Sequence, residues 1–259
     1  MNKTLLLASI TLGIINSYTS IAQHTSIPKL EIAKGDTYTV GPENTLYVDT
    51  LILHDKATIR FASSQYGVLD VKTAYIGKKC TVTSKGADGS VGKGNRPGQD
   101  GKSGGNLTFS IHFEELGSLT IDTRGGKGGD GVNGRNGHEG SPDKHETQTV
   151  VDPATGKTRT ITVIVPGSPG TDGTNATMGG NGGNGGNIMF VYSTNGFIPI
   201  FNNEKANKNS ITILHTKGMR GTTGVPGRGG LQRMDGVVLY SEIKPDIDGQ
   251  IILVNQNSQ

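Results

Sequence analysis

Between residues 30 and 84, short apolar stretches alternate with polar positions and are closed off by Gly, Asp, Asn and Lys. The pattern predicts strands at 30–33, 37–40, 46–53, 57–61, 68–71, 74–76 and 80–84. No amphipathic helix pattern follows residue 22. One triplet recurs: Ala57-Thr58-Ile59, Cys80-Thr81-Val82, Leu119-Thr120-Ile121 and Ile211-Thr212-Ile213. Ile59 and Val82 are 23 residues apart, the length of one coil of a solenoid.

Beyond residue 84 the pattern changes to a period of three carried by glycine. Gly125, Gly128, Gly131, Gly134, Gly137 and Gly140 hold the phase. So do Gly86, Gly89, Gly92, Gly98, Gly101 and Gly104, with Asn95 in the missing slot. Gly179, Gly182 and Gly185 continue a set begun at Gly167, Gly170 and Gly173, with Ala176 in the gap, and Gly218, Gly221, Gly224, Gly227 and Gly230 complete it. Three residues per turn fits neither helix nor strand but fits polyproline II, where one side of every turn would be glycine. Such a run has no internal hydrogen bonds, so its N–H and C=O groups must find neighbours. A flexible linker would need no phase. A collagen triple helix would need far more proline than Pro97, the only one between Gly86 and Gly140. Packing within one chain is the expectation.

The entries Ser84-Lys85-Gly86, Thr123-Arg124-Gly125 and Thr216-Lys217-Gly218 look alike. So do the exits Gly104-Gly105-Asn106 and Gly185-Gly186-Asn187. Each glycine-rich stretch therefore reads as an excursion that leaves one strand and feeds the next. Residues 237–240 and 251–254 would be the last strands. The predicted fold is all-β: a short parallel β-solenoid with polyproline II-type excursions packed as a layer at one corner. The alternative is an antiparallel β-sandwich with Gly-rich loops. Four segments follow: a signal peptide at 1–22, solenoid coils at 23–84, the glycine layer interleaved with strands at 85–235, and a C-terminal cap at 236–259. The second excursion holds a hairpin at 146–165, turned by Asp152-Pro153-Ala154-Thr155-Gly156. It either caps the bundle or presents a contact surface through Lys144, His145, Glu146, Lys157 and Arg159.

Composition narrows the function classes. Glycine at 41 of 259 residues, with 32% hydrophobic residues, leaves little for a large apolar core. A net charge of +3 implies neither nucleic acid nor an anionic membrane as partner. The single cysteine, Cys80, excludes an intrachain disulfide and reads as a buried thiol. Lys3, the apolar stretch 5–15 and Ser20-Ile21-Ala22 form a secretory signal with cleavage before Gln23. The expected location is outside the inner membrane, extracellular or on the outer surface, without a transmembrane segment.

Candidate chemistry is sparse. Gly126-Lys127-Gly128-Gly129-Asp130-Gly131 matches a dinucleotide pattern, but period-three glycine generates that match and no helix follows. Gly101-Lys102-Ser103 lacks the glycine a phosphate loop needs at Arg96. Asp88, Asp100, Asp130 and Asp172 precede glycine, which is ordinary turn chemistry. The six histidines show no metal-ligand spacing, and Glu114-Glu115, the only adjacent acidic pair, reads as a solvated turn before Leu116. No catalytic residue, metal site or cofactor is assigned.

The phased glycines with their entries and exits resemble bacterial secreted Gly-rich β-helix proteins and collagen-like repeat proteins. They are also similar to phage tail-tip adhesins whose polyglycine II helices form a layered sandwich. The resemblance covers roughly residues 80–235. It implies a structural or adhesive surface protein, not an enzyme, with an extracellular glycan or surface protein as partner. Two alternatives stand beside it: a polysaccharide-active β-helix enzyme and an ice-binding protein. A cleft of carboxylates and bases would favour the first, a flat threonine face the second, and exposed polar tips adhesion.

Overall fold

The computed structural model describes residues 26–203 and 208–258. The signal-peptide expectation at 1–22, including its cleavage site, lies outside the described residues. In chain order the strands are β1 (Ile27–Ile32), β2 (Thr37–Thr39), β3 (Thr45–Leu53), β4 (Thr58–Arg60), β5 (Gly67–Ile76), β6 (Cys80–Thr83), β7 (Leu107–Leu116) and β8 (Ser118–Asp122). They continue with β9 (Lys144–Val151), β10 (Thr158–Val165), β11 (Ala176–Thr177), β12 (Ile188–Thr194), β13 (Ile200–Phe201), β14 (Ser210–Leu214), β15 (Val238–Leu239) and β16 (Ile251–Asn255).

Two parallel six-stranded sheets form the body. One runs β1-β3-β5-β7-β12-β16 and the other β2-β4-β6-β8-β14-β13. From β1 to β8 the chain alternates between them, so each of these coils gives one strand to each sheet, as a solenoid does; after β12 it gives β13 and β14 in succession to the second sheet. All pairings in both sheets are parallel, which excludes the antiparallel sandwich. The recurring triplets stack in register: Ile59 pairs with Val82, Val82 with Ile121, and Ile121 with Ile213. The predicted strands 68–71 and 74–76 are one strand, β5, with a register irregularity between Val71 and Ala74.

Alternation places every second side chain between the sheets. Leu46, Leu69, Phe109 and Phe190 occupy equivalent positions on successive rungs and are all buried. Phe109 meets Phe190 edge to face at 5.6 Å between ring centres, a contact that adds about 0.5–1.5 kcal/mol to simple burial. Cys80, at the start of β6, is buried with its Sγ toward the carbonyls of Leu53 and His54, and burial pushes its thiol pKa up. The corners are held by backbone conformation and one buried amide. Lys56 and Lys79 adopt positive φ where one sheet passes to the other. At the opposite corner Asn44, fully buried, accepts from Ala62 N–H through Oδ1 and donates through Nδ2 to the carbonyls of Ala62 and Gln65.

The glycine excursions leave from that second corner, between β6 and β7, β8 and β12, and β14 and β16. Each comprises an outward and a returning run: 84–92 with 98–106, 123–140 with 167–187, and 215–230 with 236–250. The third return run extends past 235, so the glycine layer ends at 250. Residues 237–240, expected as a solenoid strand, lie in this layer, where β15 pairs with β11 instead. Residues 251–254 do form the last rung, within β16.

Outward runs are parallel to one another and returning runs likewise. Gly86, Gly89 and Gly92 donate to the carbonyls of Arg124, Lys127 and Asp130; Gly98, Gly101 and Gly104 donate to Met178, Asn181 and Asn184. The outward layer extends one sheet and the returning layer extends the other. Antiparallel bonds join the two, such as Gly126 N–H to Lys102 and Gly183 N–H to Gly126. The six runs pack within one chain, as a sandwich of polyproline II-type strands.

Glycine phase selects the neighbour. A Cβ at Gly86, Gly89, Gly125, Gly128, Gly131, Gly134 or Gly137 would strike a carbonyl oxygen of the facing return run at about 2 Å. Gly92 faces Arg96, and Gly179, Gly182 and Gly185 face the third outward run. Gly126 and Gly129 occupy a second phase and press sideways on Ala87 and Ser90. Gly218, Gly221 and Gly224 also press sideways, on Gly126, Gly129 and Val132. The third run is thus shifted by one residue: His215 aligns with Ser84 and Thr123, and its Nδ1 lies 2.7 Å from the Gly249 carbonyl. Ser84 and Thr123 donate their hydroxyls to the carbonyls of Gly105 and Gly186, so all three close the mouth of an excursion.

Candidate functional site

The hairpin sits at the distal end of the longest excursion. β9 and β10 pair antiparallel in full register, from Lys144 with Val165 to Val151 with Thr158. Asp152 shapes the turn by accepting from Ala154 and Thr155 N–H. Residues 144–165 are exposed or half-buried throughout, so the hairpin has no buried face with which to cap the glycine layer.

The five expected contact residues are not one group. Lys144, His145 and Glu146 stand at the base of the hairpin, and Lys157 and Arg159 at its turn, about 20 Å away at 3.4 Å per residue. Alternation also separates them by face. Lys144, Glu146 and Arg159 share a side with Val150, Ile161, Val163 and Val165; His145 lies on the other. That other face carries Thr147 opposite Thr162, Thr149 opposite Thr160, and Thr158 opposite Val151. The Thr-x-Thr spacing in both strands is the signal that locates this face, and a search for charges alone passes over it.

The Asp-Gly pairs have a role other than turns. Each carboxylate accepts a backbone N–H from a neighbouring run: Asp88 from Lys127, Asp100 from Asn181, Asp130 from Thr222, Asp172 from Met234. Thr222 N–H and then the Lys127 ammonium hold the Asp130 carboxyl below its ordinary range. Burial works against the charge of Asp100, but Asn181 N–H and Lys244 outweigh it and lower its pKa too. These oxygens are spent on the layer. Among the described residues no group of three or more His, Cys, Asp or Glu is placed to hold a metal ion.

Two other surfaces bear on function. A cavity of about 730 Å³ opens along the first corner of the solenoid, lined by Asp55, Lys78, Glu114, Glu115, Phe197 and Lys208 among others. It brings acids and bases together, as a polysaccharide-cleaving site would. Two of its three acids are already engaged: Asp55 accepts Lys78 N–H at 2.8 Å, and Glu114 accepts from Asn195 at 2.7 Å. A general acid–base pair needs both groups free to reach substrate. On the outer face of the second sheet, Thr37, Thr58, Thr81, Thr120 and Thr212 stack in one column. The next column reads Thr39, Arg60, Thr83, Asp122 and Leu214, so a continuous threonine plane is not formed there.

Comparison with known proteins finds no matching family model, no similar curated protein and no similar solved structure. No helix among the described residues is long and apolar enough to cross a membrane.

Proposed function

We propose that this chain is an exported, non-enzymatic surface or matrix protein that uses the β9–β10 hairpin to bind an extracellular glycan or surface partner. One observation carries the reading: the hairpin is held out by the longest pair of glycine runs and exposes both of its faces. Eighteen residues at 123–140, at about 3.1 Å each, reach about 55 Å from the solenoid. A layer hydrogen-bonded on several sides is stiff, which suits holding a surface away from a scaffold. It suits a catalytic cleft poorly, because catalysis needs reacting groups fixed by surrounding side chains.

The test replaces residues 144–165 by a short Gly/Ser connection. The thermal midpoint is expected to hold, because the hairpin covers no core, while retention on glycan arrays or cell surfaces is lost. Unchanged retention overturns the proposal.

A second reading is favoured by the threonine face of the hairpin. Five threonines in two facing columns make a small flat array of hydroxyl and methyl groups, the kind of surface that binds ice. Inhibition of ice recrystallisation by the intact chain, abolished by Thr149→Lys with Thr160→Lys, would favour it over adhesion.

A further inference from the structure

The two ends of the stack differ in chemistry. The first end is built from β1, β2 and the runs 84–92 and 98–106. β1 carries Lys29, Glu31 and Pro28, and Pro28 has no N–H to offer an added strand. On those two runs Val91 is the one large apolar side chain that is strongly exposed. The last end is built from β13, β16 and the runs 215–230 and 236–250. With the segments flanking these elements it holds twelve of the nineteen large apolar side chains exposed among the described residues. Met219 and Val225 stand on the outward run. Met234, Val237, Tyr240 and Ile243 follow at a strict period of three on the return side, one side of a polyproline II turn. Tyr240 is 85% exposed. Side chains replace glycine here, so no further glycine-type run can be added.

We propose that this last face is a homodimer interface, joined to the same face of a second copy about a two-fold axis. Its size fits: two adjacent runs about 45 Å long and about 15 Å across with their side chains give about 700 Å², near the ~800 Å² per partner of a stable interface. Its charge fits as well. Residues 215–250 carry five cations (Lys217, Arg220, Arg228, Arg233, Lys244) against four carboxylates (Asp235, Glu242, Asp246, Asp248). A two-fold contact sets a surface against itself, so a near-neutral mixture is tolerated, whereas an anionic membrane selects an excess of cations. Head-to-tail stacking would instead set β16 against β1, where Pro28 offers no N–H, and would grow into open filaments.

Sedimentation velocity of the purified chain tests this between about 1 and 100 µM, the range where interfaces of this size report. A closed dimer is expected. Tyr240→Glu with Ile243→Glu should weaken it about a hundredfold or more, with unchanged circular dichroism, and Val91→Glu at the other end should leave it intact. If the double variant loses its fold, Met219→Glu asks the same question at one exposed side chain. A monomer throughout the range overturns the proposal. So does a dimer indifferent to these substitutions, growth into filaments, or a monomer that sediments with phosphatidylcholine vesicles.

Discussion

Asn133 Oδ1 accepts the backbone N–H of Val225 at 2.9 Å, although 92 residues of chain separate the two. Asn136 does the same for Arg228 and Asp130 for Thr222, all at the same separation. Glycine N–H groups reach neighbouring carbonyls, but a second N–H in many triplets bonds a side-chain oxygen instead. A short side chain just before the next glycine supplies that oxygen. From the other position of the triplet, just after Ala176, Gly173 and Gly170, Thr177, Thr174 and Thr171 likewise accept from Val132, Arg135 and His138 N–H.

Removing one such acceptor should cost about 0.5–1.5 kcal/mol, the usual net contribution of a hydrogen bond. Asn133→Ala is expected to lower the denaturant midpoint and to speed amide exchange at Val225, while Asn133→Asp keeps both near the parent. Unchanged exchange at Val225 in Asn133→Ala would sink the idea.

Close approach makes the inner glycines irreplaceable. A Cβ at Gly131 would lie 2.1 Å from the Thr177 carbonyl oxygen, whereas a Cβ at Gly41 has nothing within 4 Å. Gly131→Ala should destabilise by about 1–3 kcal/mol or more through overpacking. Gly41→Ala should be neutral or stabilise by about 0.4–1 kcal/mol through the unfolded chain. Calorimetric midpoints that move together for the two variants would contradict a packed layer.

Acid should loosen the molecule from its carboxylates. Asp130 and Asp100 titrate below their ordinary range, and Lys29 followed by His54 lowers Glu31 to about 2. A folded-state pKa below the unfolded one gives stability that is complete above the unfolded value. That stability is lost as pH falls through the folded value. The thermal midpoint should therefore decline from about pH 4.5 down to about pH 2. Asp100→Asn and Asp130→Asn keep an acceptor oxygen and should flatten the decline; an equally steep curve in the double variant counts against these two groups.

Much of the body was legible because its signals are local. The triplets around Ile59, Val82, Ile121 and Ile213 announced the stacked rungs, and the phased glycines announced their runs. What escaped was non-local. Asp88 and Asp130 read as turn residues because their true partners, Lys127 and Thr222, lie 39 and 92 positions away. Residues 237–240 read as a solenoid strand because an outermost run has no neighbour requiring glycine. The sideways phase of Gly126 and Gly129 was hidden inside Gly-Gly pairs. The hairpin was found from its turn, but alternation divided its charges between two faces and two ends.

The fixed separations between partnered runs, 39, 81 and 92 residues, also limit how the gene can change. One inserted codon in a run turns every later residue by a third of a revolution, moving side chains into glycine slots and oxygens out of reach. Length here is quantised: the tolerated unit is a whole Gly-x-y triplet, added to an outward run and to its return together. Insertions and deletions of nine nucleotides in matched pairs are the coding changes through which such a molecule lengthens or shortens without refolding.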